Sequence, residues 1–379
     1  MKKIALEQLK PGMVTAEDVY ANSGQQLLVP KGTTLTDLKL QLLNVFAIRN
    51  VRIEDDNPES ADASSAGQGE ESYFGEHIPD FTSKLPQEVR EARVKEIKEY
   101  KEAYNKGLNY FQVAVNNLVE KNADMNLNVD TILNQTISLL GNRGKSSILE
   151  MLIFMKERDS DIYSHCINTS LLCNMLAHWL DYSEEDCQMA AACGLFHDIG
   201  HLALPEELLQ KTEPLTPEEQ DLLATHTEKG YEMLKAFDVD ETVRLSALMH
   251  HEKCDGSGYP RGLQDEEIDR FAKLVNICNI YDSMTSDRPR QKAVTPFAVI
   301  EEYETRGLSK YDTRAILVFQ KNTVNTYLNC PVRLTNGAVA YVVYINPGRL
   351  GRPIVQCNGE FIDLSKRTDI NIAEMLPVV

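Results

Sequence analysis

Six histidines between positions 165 and 251 of this 379-residue chain look like metal ligands: His165, His197, His201, His226, His250 and His251. Adjacent His197-Asp198 and His250-His251 pairs are hard to explain as packing. Imidazole and carboxylate donors at separated positions suit borderline ions such as Fe²⁺, Mn²⁺ or Zn²⁺. A single ion needs three or four ligands. His165, His197, Asp198, His226, His250 and His251 exceed that number, and Asp161, Asn279 and Asp282 are further candidates. The surplus suits two ions sharing a bridging carboxylate, and Asp198 is the natural bridge. Two ions about 4 Å apart can hold a hydroxide and aim it at phosphorus. Asp161 and His165 lie four residues apart, on one side of a helix. A lone histidine is more often an ordinary polar residue, and His77 and His178 are read that way. Cys254, near the histidine pair, is read as a small packing residue.

Helices must position this set. Asp161 to Leu180 predicts one, carrying His165. Ala-rich Glu184 to Phe196 predicts the next, delivering His197 and Asp198 at its end. Thr216-Pro217-Glu218-Glu219 has the form of a capping box with proline at the first helical position, opening a helix through Leu222, Leu223 and His226. Val243 to His251 follows, then a Gly-rich loop to Gly262 and a helix from Arg270 to Met284. Residues 158–305 read as a run of amphipathic helices without βαβ alternation, so the fold class is mainly α.

The flanks read differently. Residues 1–54 form a small β-rich module, with strands expected at Met13 to Tyr20, Gln26 to Val29 and Arg49 to Ile53. A helix capped by Thr36 is expected between them. Its expected role is packing or dimerisation rather than ligand sensing. Residues 55–80 are acidic and poor in apolar groups, a flexible linker by composition. Residues 81–150 are a helical support region, with helices from Pro86 to about Val119, Val129 to Leu140 and Ser146 to Glu157. Residues 151–305 hold the histidine cluster. Residues 306–379 give a helix over 308–329 and a small antiparallel unit. There, Asn336-Gly337 between alternating strands signals a two-residue hairpin.

Composition narrows the partners. The formal charge is −18, with no long Lys/Arg block, which argues against a nucleic acid polymer. Metals and a few arginines can still make a site locally positive for a small anion. No apolar run of about 18 residues exists, and no signal-peptide core follows Met1-Lys2-Lys3. With eight cysteines and no Cys-x-x-Cys pair, a cytoplasmic protein with reduced thiols and no membrane contact is expected.

His197-Asp198, His250-His251-Glu252 and Asp255-Gly256-Ser257-Gly258-Tyr259-Pro260 together resemble the HD-GYP family, phosphohydrolases that cleave the bacterial second messenger cyclic di-GMP. Leu204-Pro205, Lys211, Leu215-Thr216 and Asp287-Arg288-Pro289 extend the resemblance, which covers about residues 150–305. It implies a metal-dependent phosphodiesterase giving pGpG and GMP, with two or three divalent ions, Fe or Mn. His165, His197, Asp198, His226, His250 and His251 would be metal ligands. Gly256, Gly258, Tyr259 and Pro260 would shape the nucleotide pocket, and Arg288 would contact phosphate. A homodimer or a signalling protein is the expected macromolecular partner. His197, Asp198 and His201 form the expected catalytic set.

This sequence departs from the family at three places. The family's lysine after His-Asp is His201, which could donate a proton to the leaving oxygen or bind metal. A metal-binding Asp is Asn279, a neutral and weaker ligand. Asp161 stands where some members recruit a third ion with Glu. The departures leave a second reading open: a degenerate member that binds a cyclic dinucleotide and signals without catalysis.

Overall fold

The computed structural model describes residues 2–20, 27–29, 31–35, 39–40, 43, 48, 50–54, 87–119, 129–139, 148–149, 151–152 and 161–376. The acidic linker, His77 and the Thr36 cap lie outside the described residues. So does most of the helix expected from Ser146 to Glu157.

Helices α1 (Gln87–Val119) and α2 (Val129–Ser138) precede the central pair, α3 (Ile162–Trp179) and α4 (Glu184–Phe196). Asp161 and Ser183 cap that pair by accepting the Ser164 and Asp186 amides. Every residue of α3 from His165 to Ala177 is buried. The helix is therefore central rather than amphipathic, because its polar positions (Asn168, Thr169, Ser170 and Asn174) face protein instead of water. Ser170 donates to Ala191 O and Asn174 to Cys187 O, both on α4. Close approach of the two helices depends on Gly194, where a Cβ would come within 2.9 Å of Ser170 Cα and Thr169 O.

After a short α5 (Glu206–Gln210), the capping box at Thr216 opens α6 (Pro217–Ala224) as expected. The helix then breaks at Thr225, whose hydroxyl donates to Leu222 O at 2.6 Å. His226 thus begins a separate helix, α7 (His226–Leu234). α8 (Glu241–Met249) ends at His250, and α9 (Arg270–Met284) packs across α3 and α4. α10 (Pro296–Arg306) and α11 (Thr313–Thr326) complete the bundle; α11 is shorter than expected because Asp312 caps it and Tyr327 ends it.

The C-terminal sheet is antiparallel in the order β8-β7-β6-β5-β9, built from β5 (Pro331–Leu334), β6 (Val339–Tyr344), β7 (Ile354–Cys357), β8 (Glu360–Asp363) and β9 (Ile372–Met375). Leu334 and Ala338 close a three-residue loop with Gly337 at φ +85°, not the two-residue hairpin expected from Asn336-Gly337. Val332, Leu334, Ala340 and Val342 share the helices' hydrophobic core. Glu304 on α10 accepts the Leu350 and Gly351 amides, and Glu301 pairs with Arg352 at 2.9 Å.

At the N-terminus, β1 (Lys2–Ala5) pairs with β4 (Asn50–Ile53), and β2 (Val19–Tyr20) with β3 (Leu27–Val29). Most of the strand expected over Met13 to Tyr20 is turn and isolated bridge instead. The module's small core includes Leu35, Leu43 and Val51, with Tyr344 and Phe361 of the C-terminal sheet packed against it. Among the described residues no helix is long and apolar enough to cross a membrane. The eight cysteines are free thiols, all buried except the half-buried Cys254.

The tight α3–α4 contact gives a direct test. Gly194→Ala should destabilise the protein by about 1–3 kcal/mol, read as a lower denaturation midpoint. An unchanged midpoint would show that the helices can part freely.

Candidate metal centre

Four helix boundaries meet at Asp198, which is 3% exposed. α3 brings His165, the end of α4 brings His197 and Asp198, the start of α7 brings His226, and the end of α8 brings His250 and His251. The two carboxylate oxygens face different neighbours. Oδ2 lies 3.4 Å from His165 Nε2 and 3.5 Å from His197 Nε2. Oδ1 lies 3.3 Å from His226 Nε2, 3.2 Å from His250 Nε2 and 3.6 Å from His201 Nε2. The donors fall into two groups, Asp198 with His226, His250 and His251, and Asp198 with His165 and His197. Within each group the ligand atoms lie within 4.8 Å of one another, and Asp198 belongs to both.

The ring orientations follow from elementary hydrogen bonding. His197 Nδ1 donates to Gly194 O at 2.8 Å, His226 Nδ1 to Leu223 O at 2.7 Å, and His250 Nδ1 to Ala247 O at 2.9 Å. Each acceptor is the carbonyl three residues earlier, in the last turn of the preceding helix, where carbonyls have acceptor capacity to spare. A carbonyl only accepts, so Nδ1 carries the proton and Nε2 keeps its lone pair. His165 Nδ1 meets Asp282 Oδ2 at 2.7 Å, an arrangement that likewise frees Nε2. His226 and His250 therefore face each other with two lone pairs 3.2 Å apart. His165 Nε2 and His197 Nε2 are buried and satisfy no hydrogen bond. Facing lone pairs and unsatisfied buried nitrogens are costly unless a cation sits among them. The residues present therefore fit divalent ions.

Electrostatics agree. Burial opposes a charge on Asp198, yet the histidines around it, His197 foremost, hold its carboxyl well below the usual range. Burial pushes His197, His250 and His251 down, so they stay neutral, as ligands must. Burial and Arg288 also push His165 down, but Asp198 and Asp282 outweigh them and raise it. The carboxylates that favour a proton there would favour a metal cation in its place. Burial lowers His201 to about 3 against the pull of Asp198. At neutral pH that imidazole carries no spare proton, so the expected proton donation to a leaving group does not follow.

The remaining expected residues divide. Tyr259 stacks on His251 with ring centroids 4.6 Å apart at 18°, placing an aromatic face at the rim. Pro260 follows it through a cis peptide, Gly256 takes φ +77°, and Gly258 lies against the backbone of Glu252 and Lys253. Arg288 approaches the cluster closely enough to lower His165 and His201 by its charge, and its Nε and Nη2 are buried without a hydrogen-bond partner. Asn279 is buried on α9, its Oδ1 accepting from Ser283 Oγ at 3.0 Å. Asp161, expected as a ligand, is in neither donor group. Its Oδ1 accepts the Ser164 amide at 2.7 Å as the cap of α3. Asp282, weighed as a ligand, orients His165.

Glu252 was overlooked. It is 2% exposed, and its two oxygens accept the amides of Arg261 at 2.7 Å and Leu263 at 2.9 Å. Asn276 holds its carbonyl. The carboxylate thereby pins the returning arm of the loop that carries Tyr259. A glutamate directly after two ligand histidines, where the chain must turn sharply, was the available signal.

Comparison with known proteins places this geometry. A family model described as an HD domain matches residues 131–315, starting inside the region expected only as support. The cyclic di-GMP phosphodiesterase PA4108 of Pseudomonas aeruginosa is 33% identical over 194 residues, which are 51% of this chain and 46% of that protein. The cyclic di-GMP phosphodiesterase response regulator RpfG of Xanthomonas campestris pv. campestris is 30% identical over 177 residues, 46% of this chain and 47% of that one. The 3'3'-cGAMP-specific phosphodiesterase 1 of Vibrio cholerae is 36% identical over 128 residues, 34% of this chain and 30% of that one. This chain spans about half the length of the first two and less of the third.

The Glu252 anchor has a measurable consequence. Glu252→Gln replaces one acceptor oxygen with a donor, leaving one loop amide unsatisfied at about 1–3 kcal/mol. Amide exchange at Arg261 or Leu263 should then quicken by about five- to a hundredfold. Exchange at the wild-type rate would contradict the anchoring role.

Proposed function

We propose, from the match of residues 131–315 to the HD-domain family model, that this chain hydrolyses a phosphodiester bond of a cyclic dinucleotide. The preferred substrate is cyclic di-GMP, opened to linear pGpG and onward to GMP. The observation that carries this reading is the pair of donor groups sharing Asp198, with the buried Nε and Nη2 of Arg288 left without hydrogen-bond partners nearby. The relatives named for cyclic di-GMP and 3'3'-cGAMP support the substrate class.

His165, His197 and Asp198 would hold one ion, and Asp198, His226, His250 and His251 the other. Imidazole and carboxylate donors suit Fe²⁺ or Mn²⁺. Bound ions supply Lewis acidity and a nucleophile at neutral pH. The chain's own residues do the rest. Arg288 offers two N–H groups to the non-bridging oxygens of the scissile phosphate, a planar match for that group. The face of Tyr259, backed by His251, stacks one base. The Gly256–Gly262 backbone, pinned by Glu252, closes around the ribose-phosphate. Water adds to phosphorus, the P–O3′ bond breaks, and the leaving oxygen takes its proton from solvent, since His201 is neutral. The product keeps a 5′-phosphate.

One observation favours a slower or non-turning-over variant of the same site. Asn279 supplies a neutral amide oxygen already engaged by Ser283, where a carboxylate would bind an ion more strongly.

The test is incubation of the full chain, purified anaerobically and loaded with Mn²⁺ or Fe²⁺, with cyclic di-GMP. Chromatography should show pGpG, then GMP. Nucleotide binding without any product would contradict hydrolysis and establish the binding-only reading. Arg288→Ala should lower kcat about a hundredfold with metal content unchanged; an unaltered kcat would remove Arg288 from phosphate binding. Asn279→Asp should raise both metal affinity and rate, and unchanged values would acquit Asn279 as the limiting residue.

A further inference from the structure

We propose that His201 is a metal ligand, completing the Asp198 Oδ1 side of the centre. The inference rests on the reading of that cluster as a metal site. It adds a donor that neither the sequence resemblance nor the two compact donor groups supply.

His201 Nε2 converges on the same oxygen as two other imidazoles. Asp198 Oδ1 lies 3.2 Å from His250 Nε2, 3.3 Å from His226 Nε2 and 3.6 Å from His201 Nε2. His201 stacks on His226 with centroids 4.1 Å apart and planes at 16°, so a shared ion requires one of the two rings to turn out of the stack. The His201 side chain is only 16% exposed.

The position is built by the backbone. His201 sits three residues after Asp198 in a short 3₁₀ turn over Ile199–Ala203. Gly200 presses this turn onto α7, where any Cβ would overlap the His226 carbonyl oxygen and crowd the Gly230 amide. That contact sets the His201 ring against the His226 ring.

The chemistry of the substitution points the same way. A lysine ammonium has three donors and no lone pair, so at this position it can contribute charge but never ligation. An imidazole in the same place has a ring nitrogen that can ligate a metal. The chain has therefore exchanged a fixed cation for a fifth donor. The Oδ1 side then holds four imidazoles, His201, His226, His250 and His251, against two on the Oδ2 side. A nitrogen-rich site of this kind favours Fe²⁺, Co²⁺ or Zn²⁺ over Mn²⁺. The two ions should consequently bind in separate steps, the Oδ1 side first.

The experiment is an anaerobic Co²⁺ titration of the full chain, followed by visible absorption and by competition with a chelator. Wild type should take up two ions in two steps. His201→Ala and His201→Gln should weaken the tighter step by roughly 10- to 100-fold, change its absorption spectrum and leave the weaker step in place. Circular dichroism identifies a variant that fails to fold. X-ray absorption on wild-type protein loaded with one equivalent of Co²⁺ needs no variant, and should count four imidazoles on the ion. Wild-type affinities and spectra in both variants, or a count of three imidazoles, would overturn the assignment of His201 while leaving the metal centre standing. A wild-type chain that takes up no Co²⁺ would overturn the centre itself.

Discussion

A buried aspartate carboxylate surrounded by imidazoles is the constraint on which this structure depends. Removing Asp198 from water is unfavourable on its own. Five imidazole nitrogens lie within 3.6 Å of it, two at one oxygen and three at the other, and cations held among them would offset that cost. Each comes from a different place in the chain, so the helices must meet at one point. α3, buried from His165 to Ala177, the glycine contact at Gly194, the break at Thr225 and the turn at Gly200 all serve that convergence.

The chain orients its rings with one repeated device. His197, His226 and His250 each follow a helical segment and give Nδ1–H to the carbonyl three residues back. A helix end leaves such carbonyls with acceptor capacity to spare, and a ligand histidine needs a fixed tautomer. One bond satisfies both. His165 lies within α3, where carbonyls are already used, and it relies on Asp282 from α9 instead. A helical bundle whose ends meet at a point is thus well suited to a histidine-rich centre. The peripheral sheets take no direct part. Tyr344 and Phe361 tie the N-terminal module to the C-terminal sheet, and Glu301 and Glu304 tie that sheet to α10.

Much of this was legible in the sequence, for identifiable reasons. Histidines clustered in a chain otherwise poor in them, and adjacent to aspartate, signal ligation rather than packing. The capping box at Thr216 marks a helix start by local hydrogen bonding, which tertiary structure rarely overrides. Tertiary facts were hidden. The burial of α3 on all sides depends on neighbours distant in sequence, and its four polar residues suggested a wet face. Asp161 reads as a ligand by spacing, but an acid just before a helix is equally suited to capping it. The strands Lys2–Ala5 and Ile372–Met375 are four residues each, too short to show a period of two. Glu252 was hidden by its charge, since a carboxylate satisfied by two loop amides looks like a surface residue.

Asp198 belongs to both donor groups and would therefore be shared by two ions, and the most direct measurement of that is electron paramagnetic resonance of the Mn²⁺-loaded chain together with its metal content. The account predicts two ions per chain and the spectrum of an exchange-coupled pair. One ion per chain, or two ions giving the spectrum of isolated Mn²⁺, would contradict it.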